Sequence, residues 1–384
     1  KRQIKYSFLL LEQKEVLHMA YDLYPDTSIN IDCKVRIPLS ASAEITVSDD
    51  MATFGVTQKN AFINTVLENY FEKAKASLSK YIENRTRELK QLLEYVPTSD
   101  NKEKNVIIKA IVDKEAEDIA ANIRKSINTK NSSNHNKSYY INAKNMQTLQ
   151  DGRHIEYDDE DGLYKQRPGR YLRAVIEEYC SLPFIEREHI YKQDIYETVE
   201  KACKEKRLLK IPNPRNSKKP FEVYPYRIVP NKSNTQSYLL CYSVEKGSPK
   251  ADKRIASFNM ARLNIGKNNC GNPNSAFLSQ NDIKQLEATI LNEEVEYVLT
   301  ESEHIKVRLT VQGKDIYNSR IYMRPRKIGV DEANNIWEFF CTQKQAFNFF
   351  FSFAEDVEII SPPELRNRFA KSTANMAKIY SSEQ

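Results

Sequence analysis

Between Phe221 and Leu263 the sequence sets Arg227, Lys232, Lys253, Arg254 and Arg262 among Tyr224, Tyr226, Tyr238, Tyr242 and Phe258. Guanidinium and ammonium groups pair with phosphates, and aromatic faces stack on bases, so this mixture points to a nucleic-acid surface. Tyr238 has two readings. It can stack a base, or it can be core, because Leu239 and Leu240 flank it and only one face of a strand points inward. Arg262 is expected to meet a ligand or an ion-pair partner, since Arg is seldom buried unpaired. Reaction chemistry is not evident. There is no Gly-rich phosphate loop, no G-x-S-x-G, no H-E-x-x-H and no deaminase-like His/Cys set. His18, His135, His154, His189 and His304 are isolated, and the six cysteines form no C-x-x-C pair, so neither a zinc site, a cofactor nor an enzyme is expected. The acidic run Asp158–Asp161 lacks EF-hand spacing and reads as a solvated loop. Scattered single cysteines fit a reducing cytoplasm. The apolar run Phe8–Leu11 is too short to span a bilayer, and no signal peptide is expected.

The elements that carry these residues are short strands. Glu222–Tyr224 and Tyr226–Val229 alternate, a Pro-Asn-Lys-Ser-Asn turn follows, then Tyr238–Tyr242, a Gly-Ser-Pro turn and Ile255–Phe258. Such runs between turn residues predict a small, strongly bent sheet. The stretch resembles the WYL domain, an Sm-like β-barrel. The family's Trp-Tyr-Leu falls on Ser237-Tyr238-Leu239. Its closing Phe-Arg-Leu-Asp-Arg-Ile falls on Phe258–Leu263, with Asn259 at the first Arg and Arg262 at the second. Pro225 matches the Pro of its Val-x-Pro strand. The resemblance implies a ligand-sensing or nucleic-acid-binding module, with Arg227, Lys232, Tyr238, Lys253, Arg254, Asn259 and Arg262 as candidate contacts.

A second candidate surface lies near the start. Asp32–Pro38 reads as a strand stopped by Pro38, residues 40–54 as a helix closed by Gly55, and Thr57 as the cap of a further helix carrying Phe62, Ile63, Val66, Leu67, Tyr70 and Phe71. Strand, helix, glycine, helix resembles the ribbon-helix-helix fold. That resemblance implies a homodimer whose strands pair into a ribbon, burying Val35, Ile37 and Phe62 between two copies. In that family alternate outward residues of the ribbon read the DNA major groove, which the resemblance places at Asp32, Lys34 and Arg36, with Thr57 and Gln58 meeting a phosphate; the other reading is a dimerisation device with a solvated ribbon.

The helical pattern continues through Ala74, Leu78, Ile82, Leu89 and Leu92, and again from Val106 to Ile123. Residues 125–145, rich in Asn, Ser and Lys, read as a linker. Helices are expected over Tyr171–Tyr179 and Asp194–Lys206. Beyond the barrel, strands are expected at Ile305–Val311 and Trp337–Cys341, a helix at Lys344–Phe353, and a strand from Val357 leading through Ser-Pro-Pro-Glu into a helix over Leu365–Tyr380. This resembles the ferredoxin-like extension that follows many WYL domains and often dimerises. The expected class is α+β. Residues 1–95 are a ribbon-helix-helix unit with flanking helices, 96–170 a helical linker region, 171–275 the WYL domain with preceding helices, and 276–384 the C-terminal extension.

The net charge is only +6, but it is segregated: residues 201–232 hold ten Lys and Arg against Glu205 and Glu222, whereas 156–161 hold five acids and no base. Segregation favours a polyanion partner. The domain order resembles the WYL-domain accessory proteins of type VI-D CRISPR systems. It implies binding of single-stranded RNA and stimulation of an RNA-guided CRISPR nuclease effector. Two other readings stay open: a ligand-sensing regulator whose ribbon binds operator DNA, and a dimeric scaffold.

Overall fold

A computed structural model describes residues 33–95, 101–128, 137–150, 162–165, 167–213, 219–245, 247, 253–292, 295–298 and 302–381. Asp32, the acidic run 156–161 and the apolar run 8–11 lie outside them. The chain is α+β and divides into two units. One takes the residues up to Ser48 together with Gln58–Cys180; the other takes Asp49–Thr57 and the residues from Ser181 onward. Among the described residues no helix is long and apolar enough to cross a membrane.

In the first unit, strand β1 (Cys33–Arg36) is followed by α1 (Ala41–Phe54), which ends at Gly55 with φ +72, and by α2 (Lys59–Tyr70). The order matches the sequence reading, but the pairing does not. β1 pairs antiparallel with β2 (Ser138–Ile141) of the same chain, Lys34 opposite Tyr140 and Arg36 opposite Ser138. The segment read as linker thus supplies the second strand of the ribbon. Local composition hid it, because Asn, Ser and Lys flank a strand of only four residues. Asn64 on α2 ties the strand down: its Nδ2 donates to Tyr140 O at 2.8 Å and its Oδ1 accepts from Asn142 N–H at 2.8 Å. Ile37 and Phe62 are fully buried within one chain, so the ribbon needs no second copy to bury its core. Thr57 stands outside α2, whose N-cap position is Gln58 with no side-chain cap bond.

The helix expected to run on from Tyr70 breaks, and α3 starts at Leu78 (Leu78–Glu94). It packs on α4 (Asn101–Asn128) through Leu89, Ile108 and Val112. After α5 (Ala143–Gln150), helix α6 (Pro168–Ser181) supplies the aromatic core of the unit. Tyr171 stacks on Phe71 with ring centroids 6.2 Å apart, and Tyr179 meets Phe62 edge-on at 6.2 Å.

The second unit opens with α7 (Phe184–Tyr191) and α8 (Gln193–Lys204). Strands β3 (Leu209–Ile211), β4 (Phe221–Pro230), β5 (Ser237–Glu245) and β6 (Arg254–Asn259) then form an antiparallel sheet in the order β3-β4-β5-β6. Among the described residues the expected barrel is not closed: no ladder joins β3 to β6, and apart from its ladder to β4 the three-residue β3 makes an isolated bridge from Leu209 to Cys270, which follows β6. β4 shifts register between Pro225 and Arg227, where Pro225 has no N–H to give. One face of the sheet packs on α8 through Tyr196 and Val199. The other face is covered through Leu286 of α9 (Gln280–Asn292).

The remaining strands are β7 (Glu303–Leu309), β8 (Arg326–Asp331), β9 (Ile336–Cys341) and β10 (Val357–Ser361). With helices α10 (Val311–Ser319) and α11 (Gln343–Phe350) they follow a β-α-β-β-α-β order, in a second antiparallel sheet ordered β10-β7-β9-β8. Its inward residues Ile305, Val307, Phe339 and Ile359 pack on Phe349, Phe350 and Leu365, the last from helix α12 (Pro363–Ser381). β8 was not legible because four of its six residues (Arg326, Lys327, Gly329 and Asp331) are charged or glycine.

Candidate nucleic-acid interface

The aromatic sheet face that the sequence offered to a nucleic acid is occupied by the protein itself. Tyr238 is only 8% exposed, and its hydroxyl donates to Gln236 Oε1 at 2.8 Å. Burial pushes that hydroxyl's pKa up to about 12. Of its two readings, the core one holds in this structure. Lys253 lies 5.1 Å from the Tyr224 ring and 4.7 Å from the Tyr242 ring, and pairs with Asp282 of α9 at 3.1 Å. Arg227 pairs with Glu287 of the same helix at 3.3 Å, and the Tyr226 hydroxyl bonds to that carboxylate as well. Asn259 donates to Gln236 Oε1 at 3.0 Å. Helix α9 thus brings carboxylates to two of the cations, Lys253 and Arg227.

Lys232, Arg254 and Arg262 remain exposed. They do not form one patch. Asn259 pairs across the sheet with Tyr238 and Arg254 with Ser243. Those positions are separated by five residues along a strand, roughly 17 Å at the strand rise. Lys232 lies in the β4–β5 turn beside Ser237 and Arg262 follows Asn259, both at the far end from Arg254.

A different basic surface is assembled in the first unit. A cavity of about 570 Å³ is lined by Lys34, Val35, Arg36 and Pro38 from the β1 segment, Ile127 from the end of α4, and Arg167, Pro168, Gly169, Arg170 and Arg173 from the start of α6. Its lining holds five cations and no carboxylate, although Arg173 is paired with Glu177 just outside the lining at 3.5 Å. The α6 N-terminus adds its own positive potential. Gly169 permits the close approach: a Cβ there would fall 2.2 Å from the Arg36 carbonyl oxygen. Arg173 has a structural task, being 4% exposed, with its Nη1 and Nη2 donating to Ile127 O and Ser126 O at 3.2 Å each. This fixes the C-terminus of α4 against α6.

The ribbon adds an aromatic. Outward residues alternate as Lys34 and Arg36 on β1 and Ser138 and Tyr140 on β2, while Tyr139 and Ile141 are buried. Tyr140 is 50% exposed, and Lys34 Nζ lies 5.8 Å from its ring centroid. Exposed cations beside a stackable ring suit a single strand of nucleic acid. Lys34 and Arg36 were legible in sequence; Thr57 is exposed but does not line the cavity. Arg167, Arg170 and Arg173 were missed, although their three-residue spacing across a helix start placed them on one face.

No family model matches the sequence, and no curated protein matches it. A solved CRISPR Cas-related protein superposes with a TM-score of 0.63, covering 92% of this chain and 95% of that one at 20% identity. At this identity the likeness is one of fold. Proteasome accessory factor B/C of Arthrobacter aurescens aligns over 62% of this chain and 36% of its own at 13% identity, with a TM-score of 0.26, too low to establish a shared fold.

Proposed function

We propose that the protein is an accessory factor that holds single-stranded RNA in the groove between β1 and α6 and stimulates an RNA-guided, type VI-D CRISPR nuclease. The observation that carries this reading is the groove, with Lys34, Arg36, Arg167, Arg170 and Arg173 around one cavity and Tyr140 on the adjoining ribbon face. Sharing a fold with a CRISPR Cas-related protein supports the cellular setting. The β3–β6 sheet is read as a WYL-type module and the C-terminal β-α-β-β-α-β unit as its ferredoxin-like extension. Lys232, Arg254, Asn259 and Arg262 are secondary contacts in this proposal, and a homodimer would form outside the ribbon, whose strands are already paired.

Competition binding tests it. Labelled single-stranded RNA should be displaced best by single-stranded RNA, less well by single-stranded DNA and least by duplex DNA. Charge-assisted hydrogen bonds contribute roughly 1.5–3 kcal/mol each, so Lys34→Ala with Arg36→Ala should weaken binding at least about tenfold. Arg254→Ala with Arg262→Ala should have the smaller effect. If the second pair abolishes binding and the first is silent, the groove is not the site. Tighter, sequence-selective binding to duplex DNA would promote the operator-binding regulator instead.

A further inference from the structure

The C-terminal sheet has one covered and one open face. Burial alternates strictly along β7, leaving His304, Lys306 and Arg308 exposed while Ile305, Val307 and Leu309 are buried. On β9 the outward positions are Ile336, Glu338 and Phe340. β7 and β9 are the two central strands, so these residues occupy the middle of the face. His304, Phe340 and Arg326 stand directly opposite one another across β7, β9 and β8. The His304 and Phe340 rings meet edge-on with centroids 5.5 Å apart, and Phe340 is 43% exposed.

Cations and carboxylates are both present on this face, and each carboxylate is held by a protein group: Asp331, opposite Ile336, accepts from Asn334 Nδ2 at 2.9 Å. Glu338 is engaged by His304 Nδ1 at 2.8 Å, and Glu358 by Arg308 and by Arg366, the latter at 2.9 Å. Lys306 and Arg326 are exposed beside the rings. A face on which two copies meet would have few charges at its centre. Here Phe340 and Ile336 are outward apolar residues on the central strand β9, and Ile328 is exposed at the β8 register shift, with charged groups around them. An exposed central aromatic pair with flanking cations, on a four-stranded sheet of β-α-β-β-α-β connectivity, is the arrangement by which such sheets stack unpaired bases.

We infer that the open face of the C-terminal sheet is a second binding platform for single-stranded nucleic acid, with Phe340 and His304 stacking bases and Lys306 and Arg326 meeting phosphates. It shares its ligand class with the proposed function and rests on that reading to this extent, but not on the groove.

The test is titration of a fluorescein-labelled oligouridylate into the full chain at several salt concentrations, with light scattering on the same samples. Stacking on an aromatic is worth roughly 5- to 150-fold per base. Phe340→Ala should therefore weaken binding within that range, leave the salt dependence unchanged, and keep the oligomeric state. Phe340→Trp should retain affinity. If the wild type binds and Phe340→Ala binds equally well, the platform is wrong while the groove stands. If Phe340→Ala instead converts a dimer to a monomer, the face belongs to a second copy and the inference fails. If the wild type binds no single strand, the platform and the proposed function fall together.

Discussion

Glu188 on α7 is fully buried, and its Oε1 accepts from the Tyr196 hydroxyl at 2.5 Å. Lys192, 9% exposed, lies nearby with its Nζ 3.4 Å from Leu263 O. Burial pushes the Glu188 carboxyl up to about 7, against a pull downward from Tyr196, the Ser237 backbone and Lys192. The folded state thus holds the proton more tightly than the unfolded one. The resulting stabilisation is full below the ordinary carboxylate value of 4.5 and is lost as pH rises through about 7. Wild-type stability should therefore fall between about pH 5 and 8, by at most roughly 3 kcal/mol. Glu188→Gln keeps an acceptor for Tyr196 and cannot ionise, so its urea midpoint should be nearly flat over that range. An unchanged pH slope in the variant would exclude Glu188 as its source.

At the scale of elements, the groove depends on how closely α6 approaches β1. Gly169 is the contact, since any Cβ there would strike the Arg36 backbone, which cannot swing aside as a side chain tip can. Gly169→Ala should cost about 1–3 kcal/mol, the usual penalty for overpacking, and should also weaken RNA binding by displacing Arg167 and Arg170 from Arg36. Denaturant melts and RNA titrations on the same preparation check both effects. A variant as stable as the wild type with unchanged affinity would show that this approach is not needed. The β3–β6 sheet teaches the converse lesson. There α9 closes over the aromatic face, and Asp282 and Glu287 meet Lys253 and Arg227, so the element in contact, not the strand itself, decides whether a cation is available.

Over the whole molecule the formal charge is +6, too small to attract a polyanion without segregation. The groove provides that segregation at one site. Each phosphate neutralised on a single strand contributes about −0.7 to the slope of log affinity against log salt. Engagement of Lys34, Arg36, Arg167 and Arg170 predicts a slope of roughly −2 to −4, and loss of Lys34 and Arg36 should reduce its magnitude by about 1.4. RNA titrations from low to moderate salt measure it. A slope near zero, or one that the double variant leaves unchanged, would remove the electrostatic basis of the proposal.

Strand, helix, glycine, helix from β1 to α2 was legible because alternation, 3.6-residue periodicity and the positive φ of Gly55 are local properties. So were β4, β5 and β6, and the outward positions of Lys34 and Arg36. The pairing partner of β1 was not legible, because β2 lies about a hundred residues away in a polar segment whose four strand residues acquire meaning only when Asn64 and the ribbon receive them. Nor was the fate of Tyr238, whose burial is set by Leu286 and its neighbours on a helix that local pattern did not reveal. The amino-acid sequence by itself determined which residues carry charge and which faces are apolar. Tertiary structure decided which charges remain open to a ligand, because burial and ion pairing depend on what packs opposite, and that is set by contacts distant in sequence.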